Sequence, residues 1–145
     1  TQETDSDSGY AQVAPTPDYA ELYAPLRQSV ESLIQTLAKT RSVSSVFLVN
    51  RDGYCVAEIV KDSISTPRIT EFIVETVHFL EAFAPDPQYW VLECAGGIVV
   101  MQSVDSFHFL VTIGQSGANF GALRYTMDRV RPNFEQVLQP ACPTP

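Results

Sequence analysis

The two histidines, His78 and His108, are the side chains of this 145-residue chain best suited to acid–base chemistry or metal binding. His78 lies three residues after Glu75 and seven after Glu71, so all three fall on the polar side of a predicted helix. We interpret this group as an exposed cluster or a set of partner contacts rather than an acid–base pair. His108 stands between two phenylalanines in a strand-like run and is predicted to lie at the surface or at a strand edge. No spacing brings a nucleophile and a histidine together, so we predict no catalytic residues.

Neither the cysteines nor the glycines form a recognised cofactor motif. Cys55, Cys94 and Cys142 are an odd, scattered set without a CxxC pair, which predicts free thiols and no metal site. A glycine-rich segment from Gly114 to Gly121 stands between a predicted strand and a predicted helix, where phosphate loops occur. Its pattern matches neither the dinucleotide-binding fingerprint nor the lysine-bearing P-loop. We therefore predict no bound cofactor.

The charge distribution excludes one large class of partner. The formal net charge is −8, residues 1–25 carry five acidic and no basic side chains, and between Ile69 and Leu123 there are six acidic residues but no Lys or Arg. Nucleic-acid binding needs a basic face, and the sequence does not offer one. A partner with a basic patch would be attracted, although a solvated acidic surface gives the same pattern.

The helix that positions the polar cluster is unusually apolar. It is predicted over residues 66–84, and at 100° per residue its apolar arc from Phe79 to Val77 spans roughly 160°. Val74 widens the arc to about 220°, against roughly 100° for an ordinary amphipathic helix. A single covering sheet cannot easily bury so wide an arc, so we expect part of it to pack against a second copy or another protein. The stripe comprises Ile69, Phe72, Ile73, Val77, Leu80 and Phe83.

The remaining elements follow from periodicity and turn residues. We predict a first helix from Pro25, a hairpin of strands 43–49 and 54–60, three strands at 88–94, 98–104 and 107–114, and a last helix that begins at Ala118 or Asn119 and is interrupted at Pro132. The order α-β-β-α-β-β-β-α predicts an α+β domain at 19–138, with one five-stranded antiparallel sheet and helices on both faces.

The two ends of the chain are predicted to lie outside this domain. Residues 1–18 are acidic and proline-rich and are expected to be disordered, and residues 139–145 are expected to form a flexible tail. The sequence contains no apolar run long enough for a membrane span and no signal peptide, so a cytoplasmic location is expected.

Two segments in this order of elements resemble the Roadblock/dynein light chain family, in particular bacterial Roadblock proteins that partner small Ras-like GTPases. They are the hairpin SSVFLVNRDGYCVAEI and the strand-to-helix junction GQSGANFGALRYTM, and the resemblance covers residues 24–138. It implies a protein without enzymatic residues that forms homodimers or heterodimers. The second helices would pack antiparallel, and the third strands would pair into a continuous ten-stranded sheet.

The resemblance also implies a docking platform. In some bacterial members the two-helix layer of the dimer binds a GTPase involved in cell polarity or motility and can raise GTP hydrolysis without inserting an arginine. The present chain is therefore predicted to be a non-catalytic homodimeric scaffold or regulator that binds a small Ras-like GTPase and modulates its nucleotide cycle. Two alternatives stay open: a small-molecule sensor domain of the PAS or GAF kind, and a subunit of a hetero-oligomeric Roadblock complex.

Specific residues are assigned to the two predicted surfaces. Partner binding is assigned to the polar row of the second long helix, Glu71, Glu75 and His78. The predicted dimer interface has two parts. One is the portion of that helix's apolar arc that the sheet cannot cover. The other is the strongly β-forming third strand, which at an exposed edge would promote aggregation unless a partner covered it. The predicted interface residues are Phe72, Val74, Phe79, Phe83, Tyr89 and Trp90.

Overall fold

The computed structural model describes residues 17–61, 66–83 and 88–143. The helices in this part of the chain are α1 (Tyr19–Tyr23), α2 (Arg27–Ala38), α3 (Thr66–Glu81) and α4 (Phe120–Leu138), with 3-10 turns at Ala24–Leu26 and Gln139–Ala141. The strands are β1 (Val43–Asn50), β2 (Cys55–Val60), β3 (Tyr89–Cys94), β4 (Gly97–Ser103) and β5 (His108–Gln115).

The five strands form one antiparallel sheet in the order β2-β1-β5-β4-β3. Every residue of the inner strand β1 is buried, as its continuous apolar run predicts for a strand covered on both faces. The β1–β2 turn closes at Gly53, whose φ of +87° is the left-handed conformation that glycine adopts without strain. The predicted α+β class, the sheet and the order of the elements are confirmed.

Helices cover the sheet unequally. Alternate residues of β1 point to opposite faces, so Val46 and Leu48 join α2 and α4 in the larger core cluster, while Phe47 joins α3 in the smaller one. The helices α2 and α4 also pack against each other, whereas α3 covers its face without a neighbouring helix in the described part of the chain. The flanks of α3 are therefore left open.

The last helix begins where the sequence predicts, but it does not break. Asn119 caps it by accepting a hydrogen bond from the Ala122 backbone N–H at 3.0 Å. The helix continues through Pro132, because buried Val130 and Phe134 hold the turns on both sides of the proline against the same core. The residues around Pro132 form one continuous helix, and the kink or local opening expected at this proline stays a prediction. Phe120, the first residue of the helix, is 37% exposed.

The chain stays packed against the core beyond Leu138, the predicted end of the domain. Ala141 is buried, and the Cys142 thiol donates to Asp105 Oδ2 at 3.1 Å. At the other end Asp18 caps α1 by accepting from the Glu21 backbone N–H. Residues 1–16 and 144–145 lie outside the described part, as does residue 84, the predicted end of the second long helix, so the division into domain and tails stays a prediction. Among the described residues, no helix has the length and hydrophobicity that a bilayer crossing requires.

Candidate interaction surface

One flank of α3 leaves three phenylalanine rings in solvent. Only Ile73 and Val77 of this helix are fully buried against the sheet. Phe72 and Phe79 of α3 are 38% and 64% exposed and lie about 20° apart at 100° per residue, and Phe83, in the turn that follows the helix, is 72% exposed. The rings of Phe79 and Phe83 pack edge to face with their centroids 4.9 Å apart. We refer to these three residues as the phenylalanine flank.

Val74 lies on the opposite flank of α3. It is about 140° from Phe79 around the helix axis and half-buried. A Cβ atom placed on Gly53 would lie only 3.2 Å from Val74 Cγ2, so this flank packs closely over the β1–β2 turn. The structure therefore does not bring Val74 together with the phenylalanine flank, although the sequence prediction grouped them.

Arg51 fixes the same flank of α3 to the turns beneath it. Its guanidinium forms an ion pair with Glu81 at the end of the helix and donates to the Ser106 carbonyl at 2.7 Å. It also lies 5.3 Å from the centroid of the Phe109 ring. The contacts of Arg51 thus hold one side of α3 against the turns, whereas the phenylalanine flank on the other side stays exposed.

The edge strand β3 is the second exposed apolar element. Its outer edge has no partner strand among the described residues, and Val91 and Leu92 are 40% and 46% exposed. The half-buried Trp90 packs toward α3, donating from Nε1 to Met101 Sδ at 3.0 Å. Leu92 points to the same face of the sheet because side chains alternate along a strand. The sequence prediction did not include Val91 or Leu92, although both lie in the β-forming run that indicated the strand.

Tyr89 lies on the other face of β3, toward α4. Its ring centroid is 6.1 Å from that of Phe120 and 4.4 Å from the Arg124 guanidinium carbon. Burial raises the pKa of Tyr89 to about 12, although the nearby positive charge of Arg124 acts in the opposite direction. Tyr89 and Trp90 are therefore neighbours in the sequence but belong to opposite faces of the edge.

The predicted polar row is exposed as a unit. Glu71, Glu75 and His78 are all exposed and lie within about 60° of one another on the side of α3 that points away from the sheet. Arg68 lies on the same side of the helix, so the two carboxylates, one helical turn apart, give this face a net negative charge. The structure thus brings the three residues together, next to the phenylalanine flank on the same helix.

His108 is fully buried, and its predicted surface or edge location was wrong. Its Nε2 lies 2.7 Å from Tyr23 Oη, and Asn50 Nδ2 donates to the same hydroxyl oxygen at 3.2 Å. Its Nδ1 lies 2.9 Å from Asp105 Oδ1. The aligned Asp, His and Tyr resemble a catalytic relay, but the rings of Tyr23 and His108 are wholly inaccessible to a substrate. The network instead joins α1, β1 and the β4–β5 turn.

Asp105 is the centre of this network. Its Oδ1 accepts from the backbone N–H groups of Phe107 and His108, each at 2.8 Å. Burial opposes ionisation of the carboxyl group, but the hydrogen bond and charge of His108, together with the Phe107 N–H, outweigh it and hold the pKa of Asp105 below its ordinary value. Burial and the contact with Asp105 raise the pKa of the Cys142 thiol to about 12. No spacing rule in the sequence indicates this cluster.

The glycine-rich junction before α4 is explained by packing. A Cβ atom on Gly114 would lie 2.9 Å from Ala118 Cβ and 3.0 Å from Leu123 Cδ1, so only glycine fits where the chain turns from β5 toward the helix. Gly117 has a φ of +85°, which also favours glycine. These constraints account for the glycines without a phosphate ligand.

The fold has counterparts among solved structures. No protein-family model and no curated protein matches the chain. MglB from Myxococcus xanthus is 18% identical with a TM-score of 0.70, over 77% of this chain and 95% of that one. The gliding protein MglB from Thermus thermophilus is 17% identical with a TM-score of 0.70, over 80% and 92%. A Roadblock/LC7 domain from Streptomyces avermitilis is 16% identical with a TM-score of 0.61, over 75% and 93%. Together with the sheet order, these similarities establish that the chain has a Roadblock-like fold.

Proposed function

We propose that this chain is a non-catalytic cytoplasmic scaffold of the Roadblock type, which dimerises through α3 and β3 and binds a small Ras-like GTPase. The observation that carries the proposal is the exposed phenylalanine flank. Large apolar side chains grouped on a surface mark interaction sites more often than chance exposure does. The edge strand β3 also exposes Val91 and Leu92, and Leu92 lies on the face of the sheet that α3 covers.

Dimerisation is energetically reasonable on this surface. Covering the exposed parts of Phe79 and Phe83 contributes about 1–2 kcal/mol per ring. A two-fold axis doubles each contribution, because both copies present the same surface. Pairing of the two β3 strands would also satisfy backbone groups along the outer edge and remove an aggregation hazard.

The polar row of α3 is the part of this surface suited to a different partner. In a dimer that buries the phenylalanine flank, Glu71, Glu75 and His78 remain on the outward side of the helix. The negative charge of the two glutamates favours a GTPase surface with a basic patch and accelerates its association. The Roadblock-like fold supports a regulatory role, and modulation of the nucleotide cycle would act by holding the GTPase in one conformation.

The dimer is tested with two variants of equal exposure. Phe79 on α3 and Tyr125 on α4 are both 64% exposed, but Tyr125 lies on the other side of the sheet. Light scattering coupled to size exclusion should give twice the 16.0 kDa chain mass for the wild type and for Tyr125→Asp, and the single-chain mass for Phe79→Asp. Circular dichroism checks that each variant is folded.

A wild-type monomer at micromolar concentration would contradict self-association. If this monomer nevertheless formed a complex with a second Roadblock protein from the same genome, the hetero-oligomeric alternative would replace the homodimer. A dimer unaffected by Phe79→Asp would mean that the interface lies elsewhere.

GTPase binding is tested by reversing one charge of the polar row. Glu75→Arg should weaken binding to a small Ras-like GTPase from the same genome by about tenfold, or about 1.4 kcal/mol, because it places a positive charge opposite the expected basic patch. Glu31→Arg on α2 is the matched control, because Glu31 is also an exposed helical glutamate but faces away from α3. Calorimetry with the GTPase loaded first with GTP and then with GDP measures both variants. Equal affinities for the two variants would reject the polar row as the binding site.

A further inference from the structure

Near the C-terminal end of α4, a carboxylate, an imidazole and a thiol lie close together. Asp105 lies in the β4–β5 turn, His108 is the first residue of β5, and Cys142 follows the last 3-10 turn of the described chain. His108 Nδ1 lies 2.9 Å from Asp105 Oδ1, and Cys142 Sγ lies 3.1 Å from Asp105 Oδ2. One donor atom from each residue lies within 4.8 Å of the other two. We propose that Asp105, His108 and Cys142 form a binding site for a zinc-like divalent cation.

The spacing of the donors suits a tetrahedral cation. Zinc bonds of about 2.0–2.3 Å place neighbouring ligand atoms roughly 3.3–3.7 Å apart. Asp105 Oδ2 lies 3.0 Å from His108 Nδ1 and 3.1 Å from Cys142 Sγ, so these two pairs need to separate by about half an ångström to admit the ion, while the donor atoms of His108 and Cys142 lie within 4.8 Å of each other. The combination of one sulfur, one imidazole nitrogen and one carboxylate oxygen favours zinc over calcium or magnesium, which prefer all-oxygen sites.

Neighbouring groups would orient the histidine ligand and give the cation access to the site. Tyr23 Oη, 2.7 Å from His108 Nε2, holds the imidazole ring in place, as the hydrogen-bond partners of metal-bound histidines do. An open cleft of about 370 Å³ reaches Asp105 and Cys142 from solvent and is also lined by Glu135. The Glu135 carboxylate or a water molecule from this cleft would occupy the fourth position.

Cation binding has a defined proton balance. Without a cation, the Nδ1–H of His108 and the thiol of Cys142 both donate to Asp105. Binding requires a free Nδ1 lone pair and a thiolate, so the neutral imidazole takes the Nε2–H tautomer and donates a hydrogen bond to Tyr23 Oη, whose own hydroxyl proton turns away from Nε2, and the thiol proton leaves to solvent. One proton is released per cation, and the affinity rises with pH. The cation would then link the C-terminal turn to the β4–β5 turn.

The experiment uses the full chain, reduced and stripped of metal, titrated with Co²⁺ and separately with Zn²⁺. Co²⁺ bound by a thiolate gives an intense charge-transfer absorption band, which identifies the cysteine as a ligand. We expect one Co²⁺ per chain, displacement by Zn²⁺ and a higher Tm with Zn²⁺. Calorimetry in two buffers of different ionisation enthalpy should report release of about one proton.

Cys142→Ser should lose the band and bind Zn²⁺ at least tenfold more weakly. Cys55→Ser should retain both properties, because Cys55 lies on β2 and contacts none of the three ligands. Circular dichroism establishes that Cys142→Ser is folded. Absence of the band from the wild type, or its persistence in Cys142→Ser, would overturn the proposal.

Discussion

At the scale of single residues, the polar groups of this chain are used to connect segments that are distant in sequence. Asp105 accepts hydrogen bonds from two backbone N–H groups, from His108 and from Cys142, so one carboxylate organises the β4–β5 turn and the C-terminal turn. Asn50 has a similar role at the β1–β2 turn, where its side-chain oxygen accepts from the backbone N–H groups of Asp52 and Tyr54, each at 3.0 Å.

The lowered pKa of Asp105 predicts the direction in which the free energy of unfolding changes with pH. A carboxyl group whose pKa is lower in the folded state than its ordinary 3.8 stabilises the fold above that value, and this contribution is lost as pH falls through the folded-state pKa. Asp105→Asn should therefore be less stable than the wild type at pH 7, and the difference should shrink below about pH 4. Urea unfolding, followed by fluorescence of the single tryptophan in the presence of EDTA, measures both proteins across this range.

Glu31→Gln serves as the reference for this measurement, because Glu31 is an exposed carboxylate on α2. Its stability difference from the wild type should stay small at every pH. A constant difference between Asp105→Asn and the wild type from neutral to acid pH would contradict the assignment of the stabilising carboxylate to Asp105.

At the scale of elements, α3 differs from the other long helices because it lacks a helical neighbour in the described part of the chain. The helices α2 and α4 cover each other's flanks, so an ordinary apolar stripe is enough to bury them. The apolar stripe of α3 is wider than the part that the sheet buries, because only Ile73 and Val77 are fully buried. The excess forms the phenylalanine flank, on the same face of the sheet as Trp90 and Leu92.

The two edge strands of the sheet, β2 and β3, allow a test of the proposed strand pairing. If β3 pairs with its copy, amide hydrogen exchange in β3 should speed up when the protein is diluted through the dimer–monomer transition, while exchange in β2 stays constant. Leu92→Lys should give fast exchange in β3 at all concentrations, because lysine on an edge strand opposes pairing. Concentration-independent exchange in wild-type β3 would exclude the extended sheet and leave contacts of α3 as the only basis for a dimer.

At the scale of the whole molecule, the Roadblock-like fold presents two surfaces of different character. The side that carries α3 is apolar on one flank, and the outward face of the helix carries Glu71 and Glu75 together with the single basic residue Arg68. The opposite side carries α4 and its three arginines, Arg124, Arg129 and Arg131. A dimer formed through α3 and β3 would therefore present an acidic helical layer to a partner and keep the more basic helices away from it.

The sequence by itself determined the order and type of the elements, because apolar periodicity, helix caps and turn glycines act over a few residues. It also indicated that α3 has more apolar surface than one sheet covers. Only the tertiary structure decided which flank is left open: Val74 packs over Gly53, whereas Phe79 does not pack against the sheet.

The burial of His108 and its meeting with Cys142 could not be read from the sequence either. Thirty-seven residues separate Asp105 from Cys142, and no periodic pattern connects the two positions. They come together because α4 runs back across the sheet and the final turn packs beside the β4–β5 turn. Local patterns set what each segment forms, but burial and contact between side chains depend on how the assembled layers pack, which is a property of the whole chain.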